Sequence, residues 1–337
     1  EAREGAVIEN VVNYGSVTGN HAGTANKGNY IGGICSSVIS TGVTISNCRN
    51  HGAVTYAGTP AVWTNVGGVF GEITNADIEV KGCENHGHVS FSGDNSNGKS
   101  INLAGITGGA LYASFTDCTN FGTVEHKPAN SGGGNINIGG FIGHHNQEAS
   151  QLGTITNCAN KGNLINNGVA TNEVHIGGFI GYMQQASSTI SGFINYGDIT
   201  NNKEVSSWCC LGGVVGLIKD LKENANIITS CENHGNIESK YGKNRVSIGG
   251  AVGFIDNSNT SVSNIKNSGK IGLSGDAGSG VSLGGAVGRI QAVKATGNNS
   301  ITSCENSGDV LFSGKSVNDV SMASGIGGIL GVHAGAV

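Results

Sequence analysis

Ile155-Thr156-Asn157-Cys158-Ala159-Asn160-Lys161-Gly162-Asn163-Leu164 is one of nine copies of a phrase that recurs along this 337-residue chain. The anchor is the asparagine of Asn-x-Gly. It stands at Asn13, Asn50, Asn85, Asn120, Asn160, Asn195, Asn233, Asn267 and Asn306, in steps of 34 to 40 residues, with glycine always two residues later. Self-similarity at such a period indicates a solenoid or a propeller and outranks any local reading.

Apolar positions keep step with the anchor. Five residues before it lie Ile8, Ile45, Val80, Phe115, Ile155, Ile190, Ile228, Val262 and Ile301. Four residues after it lie Val17, Val54, Val89, Val124, Leu164, Ile199, Ile237, Ile271 and Val310. Polar Thr, Ser and Asn fill the gaps, which is strand patterning without a helical period. A second phrase, apolar-Gly-Gly-apolar-apolar-Gly, alternates with the first, as in Ile176-Gly177-Gly178-Phe179-Ile180-Gly181. Its glycine pairs start at Gly32, Gly67, Gly108, Gly139, Gly177, Gly212, Gly249, Gly284 and Gly327, and Ser36 and Tyr112 stand where two copies lack the third glycine. Glycine inside a strand marks a bend or a close backbone approach.

An all-β fold, a parallel β-solenoid of about nine turns with one roughly 36-residue repeat per turn, accounts for these columns together. Turns stack at the ~4.8 Å spacing of paired strands, giving a rod on the order of 40 Å long. Each turn is expected to hold three or so strands joined by long corners. The anchor Asn forms a corner ladder, and the glycine after it is expected to supply the positive φ of a tight corner. Turns of half that length would stack Gly-Gly on Asn-x-Gly and break every ladder. A β-propeller, whose four-stranded blade has about this length, is the alternative, but nine blades are too many and hairpin turns are missing.

The repeat makes residues 1–337 a single solenoid domain, and its copies run so near both ends that the segment reads as cut from a longer array. Net charge is −5, charged residues make up 12%, and no basic run is present, so nucleic acid is not an expected partner. No apolar stretch approaches a membrane span. Six of nine cysteines, Cys48, Cys83, Cys118, Cys158, Cys231 and Cys304, share a column with Val11, Phe193 and Ile265. That exchange calls for an apolar body, and parallel side chains in one ladder do not converge as a disulfide needs. A ladder of buried free thiols is expected.

Candidate chemistry is sparse. His51, His86 and His234 occupy the middle of Asn-x-Gly, but Tyr14, Phe121, Lys161, Tyr196, Ser268 and Ser307 share that column, so it requires no metal ligand. His144-His145 lack a carboxylate partner in sequence. The densest acidic patch is Glu72, Asp77, Glu79, Glu84 and Asp94; Glu84, Glu232 and Glu305 share one column but never on adjacent turns. No pair presents itself for the roughly 5–10 Å separation of glycoside hydrolysis. No catalytic residue, metal site or cofactor is expected. In the turn that follows residues 67–107 the spacing from Gly108 to Asn120 shortens, which reads as a lost corner. Variable loops, at 126–137, 219–226, 256–260, 291–299 and 313–324, are the expected places for binding.

Ile138-Gly139-Gly140-Phe141-Ile142-Gly143 followed by Thr154-Ile155-Thr156-Asn157-Cys158-Ala159-Asn160-Lys161-Gly162 resembles the GLUG-motif repeats of bacterial surface proteins, over nearly the whole chain. The resemblance implies an adhesin-like repeat region at the cell surface or secreted, attached in some members to a peptidase whose zinc motif is absent here. The repeats here are longer than usual for that family. The implied function is structural and adhesive, with corner loops presented to a glycan or protein ligand. The alternative is a spacer or a filament protomer that stacks end to end through its open strand edges. A carbohydrate-active enzyme ranks below both.

Overall fold

The computed structural model describes the chain apart from residues 24–26, 76–77, 129, 131, 147–152, 185–187, 220–224, 243, 257, 277, 292–298, 316–323 and 335–337. Asn26, Asp77 and Asn298 lie outside the described residues, as do parts of all the variable loops named above.

The chain is a parallel β-solenoid, not a propeller. Each coil contains five short strands rather than three. In the coil that starts at the quoted phrase they are Ile155–Thr156, Ala159–Asn160, Leu164–Asn166, Val174–Gly177 and Ile180–Gln184. Strands at the second to fifth positions form four nine-stranded sheets, and those at the first position form a five-stranded and a four-stranded sheet. Seven coils are covered on both faces, and the two end coils are open on one. Register keeps like on like: Asn85 pairs with Asn120, Val124 with Leu164, and Gly177 with Gly212.

Two apolar cores run the length of the rod. One is built from the first and fifth strand positions with the residues that lead into the second and fifth, and contains Ile45, Cys48, Phe115, Phe141 and Phe179. The other lies between the third and fourth positions and contains Val54, Phe91, Leu103 and Leu164. The anchor asparagines stand where the two meet. Seven of them, from Asn50 to Asn267, are buried, and Asn13 and Asn306 on the end coils are half-buried. Each Nδ2 donates to the Oδ1 of the next anchor. Asn85 to Asn120 measures 2.9 Å, Asn120 to Asn160 2.8 Å and Asn160 to Asn195 2.8 Å, and the chain continues unbroken from Asn13 to Asn306. The same Nδ2 donates to the carbonyl two residues on, as from Asn120 to Gly122 O at 2.9 Å.

This ladder explains why the two sequence phrases alternate. The side chain of each anchor packs against the second glycine of a Gly-Gly pair. A Cβ on Gly140 would lie 2.6 Å from Asn160 Cγ, and one on Gly178 2.9 Å from Asn195 Cγ. The phrases are the two sides of one contact across the rod.

Two expectations need correction. The glycine after the anchor does not take a positive φ. A Cβ there would run into the carbonyl of the equivalent glycine one coil away, as Gly52 would into Gly15 and Gly162 into Gly122. Close stacking, not backbone handedness, demands it. The left-handed residue stands three before the anchor in every coil: Asn10, Asn47, Gly82, Asp117, Asn157, Gly192, Ser230, Asn264 and Ser303, with the non-glycine members at φ 52–55°. Asn, Asp and Gly dominate that column because they tolerate this region best.

The third coil has not lost a corner. Gly67 pairs with Ala104, not Gly108, so Ala104-Gly105 is its Gly-Gly pair. Phe70 pairs with Thr107 and Glu72 with Gly109. Gly108 is therefore the third glycine of the phrase, and Tyr112 does not replace it. An alanine in the first glycine position hid the true register.

Candidate ligand groove

The outer faces of the fourth and fifth strand positions meet in a groove that runs along the rod. The bend between them is made by the Gly-Gly phrase, and its third glycine lies at the bottom. A Cβ on Gly143 would stand 2.8 Å from Leu103 N, so the two sheets touch there backbone to backbone. Three columns line the groove above this seam. The rim carries Trp63, Ser100, Asn135, Glu173, Trp208 and Arg245. The floor carries Tyr30, Asn65, Asn102, Asn137, His175 and Cys210. The wall, one residue beyond the third glycine, carries Glu72, Gly109, His144, Tyr182, Leu217 and Phe254.

In the first half the floor is a hydrogen-bonded chain. Asn137 Nδ2 donates to Asn102 Oδ1 at 2.7 Å, Asn102 Nδ2 to Asn65 Oδ1 at 2.7 Å, and Asn65 Nδ2 to Glu72 Oε1 at 3.2 Å. His175 Nδ1 lies 2.7 Å from Asn137 Oδ1, and its Nε2 lies 3.3 Å from Glu173 Oε2. The acceptor role of Asn137 Oδ1 requires the proton on His175 Nδ1. A carboxylate thus stands beside each end of the chain, hydrogen-bonded at Glu72 and in ion-pair distance at Glu173. Burial pushes the Glu72 carboxyl up to about 7, against a hydrogen bond from the Tyr30 hydroxyl that favours the ionised form.

The second half is filled by rings and guanidinium groups. Trp208 and Phe254 stack at 4.6 Å, Arg245 lies 4.8 Å over the Trp208 ring, and Arg289 lies 5.7 Å from it. Tyr182, Cys210, Leu217 and Phe254 form a small apolar cluster outside the two main cores. Lys219 Nζ stands 3.5 Å from Asp256 Oδ2.

Sequence reasoning missed this groove. A signal was present: Trp63 and Trp208, the only two tryptophans of the chain, each stand four residues before a Gly-Gly pair. Glu72 was singled out as one of an acidic patch, yet it faces the groove while Glu79 and Glu84 lie on other strands of the coil. His144 faces the groove, stacked 5.0 Å from Tyr182. His145 points into the core, with Nδ1 2.8 Å from Ala110 O. Burial lowers both imidazoles, to about 3 and about 4.

The column of His51, His86 and His234 is a stack of rings on the outer surface. Tyr14 and His51 lie 5.1 Å apart, His51 and His86 4.6 Å, and His86 and Phe121 4.6 Å; Tyr196 and His234 lie 5.1 Å apart. Glu84 and Glu232 accept from His86 and His234, and Arg49 pairs with Glu84 at 3.2 Å. Among the described residues no group of three or more His, Cys, Asp or Glu is placed to hold a metal ion.

All nine cysteines are free thiols. Cys48, Cys83, Cys118, Cys158 and Cys231 are buried and Cys304, on the last coil, is half-buried. Their Sγ atoms donate to main-chain carbonyls, as Cys118 does to Val80 O at 3.2 Å and Cys231 to Thr229 O at 3.2 Å. Burial pushes the Cys231 thiol up to about 12, which keeps it protonated and unreactive. Cys209 lies in the second core, and Cys35 is half-buried.

Among the described residues no helix is long and apolar enough to cross a membrane. No family model matches the chain, and neither a curated protein nor a solved structure matches it.

Proposed function

We propose that this protein is a rigid, surface-exposed or secreted binding scaffold that holds an extended ligand, a glycan or a polypeptide, along its groove. One observation carries the reading. The anchor, thiol and most apolar columns of the interior repeat their chemistry, with the buried column of Tyr56, Phe91, His126 and Asn166 as an exception, whereas the groove changes residue in most coils and gathers both tryptophans, two arginines and three carboxylates. Repetition serves stacking, and a departure from it on a wall shared by two sheets is where a specific surface is built. The likeness of the repeat to GLUG-type surface proteins supports a location outside the cell and an adhesive role.

Binding is favoured over catalysis by the spacing of the acids. Glu72 and Glu173 stand three coils apart, roughly 14 Å by strand spacing, beyond the roughly 5–10 Å of a hydrolytic pair. Glu173 and Asp256 are engaged with His175 and Lys219. Catalysis by this groove is not part of the reading.

The test is to screen the purified chain against arrays of glycans and of extracellular-matrix polypeptides. A Trp208→Ala, Arg245→Ala double variant is run in parallel. The expected result is a ligand retained by the parent and lost by the double variant. A ligand bound equally by both would move the binding surface away from the groove.

A further inference from the structure

The groove wall has one gap. At the third coil the position filled elsewhere by Glu72, His144, Tyr182, Leu217 or Phe254 is Gly109, and the rim and floor residues of that coil are the small Ser100 and Asn102. The result is a notch of about 360 Å³, bounded by Trp63 and Glu72 on one side and His144 on the other. Small-molecule sites start near this size, about 300 Å³.

We propose that this notch is a subsite for one neutral sugar ring of a glycan lying in the groove. The inference rests on the binding role proposed above and names its ligand class. Three features argue for a sugar. Neutral sugars offer an apolar C–H face and a fringe of vicinal hydroxyls. Trp63, 40% exposed at the mouth, supplies a large ring for the first. For the second, Glu72 brings a carboxylate beside the carboxamides of Asn65 and Asn102. Hydroxyl-to-carboxylate hydrogen bonds are among the strong ones. The floor is also held in place before any ligand arrives: Asn65 and Asn102 are each 3% exposed and tied in the amide chain. A preorganised floor removes part of the ordering cost of binding. His144 Nε2 is enclosed and has no hydrogen-bond partner, so the notch also holds an unsatisfied polar atom on its wall.

A charged polymer fits the notch less well. Its charged atoms come from Glu72 alone, and the arginines and Lys219 lie several coils away. That separates it from the second half of the groove, where guanidinium groups dominate.

Gly109 has no positive φ, so a side chain there meets no backbone strain. A Cβ would come 2.6 Å from Asn65 Nδ2, so the Asn65 side chain must give way at its bond to Glu72, while Leu217 occupies the same wall position three coils on. Gly109→Leu is therefore a plug. The experiment titrates the parent, Gly109→Leu and Ser100→Phe with neutral hexasaccharides built from glucose, mannose, galactose or xylose. Calorimetry gives the affinity, and tryptophan emission in a Trp208→Phe background reports on Trp63. Melting curves confirm that each variant is folded, and Ser100→Phe, at the half-buried rim, serves if the plug fails to fold.

The expected result is that at least one hexasaccharide binds, shifts the Trp63 emission, and loses tenfold or more in affinity in both variants. Binding that survives both substitutions overturns the subsite and leaves the groove reading standing. Binding of no neutral hexasaccharide at millimolar concentration also overturns it. In that case a polypeptide captured by the parent and lost by the Trp208→Ala, Arg245→Ala variant would still uphold the groove.

Discussion

Two of the side-chain amide columns in this rod run through three coils or more, and only one of them is kept to the end. The inner column, from Asn13 to Asn306, uses the same residue in every coil. The groove floor runs from Tyr30 through the amides Asn65, Asn102 and Asn137 and then changes to His175, Cys210, Ser247 and Ser282. The bonds along the rod are alike in length, but each anchor also donates to the carbonyl two residues on, as Asn120 does to Gly122, and the floor asparagines do not. What differs is the alternative open to a coil that drops its amide. Between the two cores no water reaches the position, so a missing amide leaves its neighbours' donor and acceptor unpaired, at about 1–3 kcal/mol each. At Asn65 and Asn102 the floor borders the open notch, where water or a ligand can take a vacated bond. The uniform anchor marks a position with no substitute; variety alone does not mark an outward position, since the fully buried column of Tyr56, Phe91, His126 and Asn166 varies too.

The comparison can be broken by substitution, and the largest effect lies in the dry interior. Leu164 is fully buried in the second core. Leu164→Asp removes an apolar rung and inserts a carboxylate with no partner, and we expect a loss of more than about 5 kcal/mol, enough to unfold the coils around it. Circular dichroism and urea denaturation would read this directly. A variant that melts like the parent would remove the basis for the apolar ladders.

A middle-sized effect is expected from pH. His126 is fully buried, its Nδ1 lies 2.7 Å from Asn166 Oδ1, and burial lowers it to about 4. Its folded value lies below the ordinary ~6.5, so the unfolded chain takes up a proton first as the solution is acidified. Stability from this group is complete above pH ~6.5 and is lost as pH falls toward 4, by about 3 kcal/mol. Asn166 and Asn201 continue the column one and two coils on. His126→Asn extends that amide ladder, and its unfolding free energy should vary less between pH 6.5 and 4 than the parent's. An unchanged pH profile would count against a buried neutral imidazole there.

The smallest effect belongs to the groove. Arg245 is half-buried and lies 4.8 Å over Trp208. Such a contact contributes about 0.5–1 kcal/mol, so Arg245→Ala should shift the urea midpoint only slightly. A large loss of stability would mean that the filled half of the groove is a third core.

The stacking columns were legible because their residues recur at a fixed step: the anchor Asn, the valines and isoleucines after it, and the Gly-Gly pairs all announce like-on-like pairing. The left-handed column at Asn47, Gly82 and Asp117 was not, since Asn, Gly, Asp and Ser there show no common residue type, only a shared tolerance of one backbone region. The groove was hidden for a related reason. Ala104 takes the place of a glycine, so the Gly108-Gly109 pair mimics the start of the phrase four residues out of register, and the shortened spacing to Asn120 mimics a deletion. Gly109 is the residue that opens the notch. The break in the pattern and the candidate site are the same place, and only strand pairing tells which glycine is which.

Urea denaturation of Asn120→Ala and Asn102→Ala, side by side, tests the central claim most directly. Both asparagines are buried, and each donates one amide bond along the rod, at 2.8 and 2.7 Å. We expect Asn120→Ala to lose about 3 kcal/mol or more and Asn102→Ala less than half of that, because Asn120 also bonds the main chain of Gly122 and lies between dry cores, whereas the notch admits water to the bonds broken at Asn102. Equal losses would mean that the two columns are held in the same way, and that the variety of the groove floor has nothing to do with its facing outward.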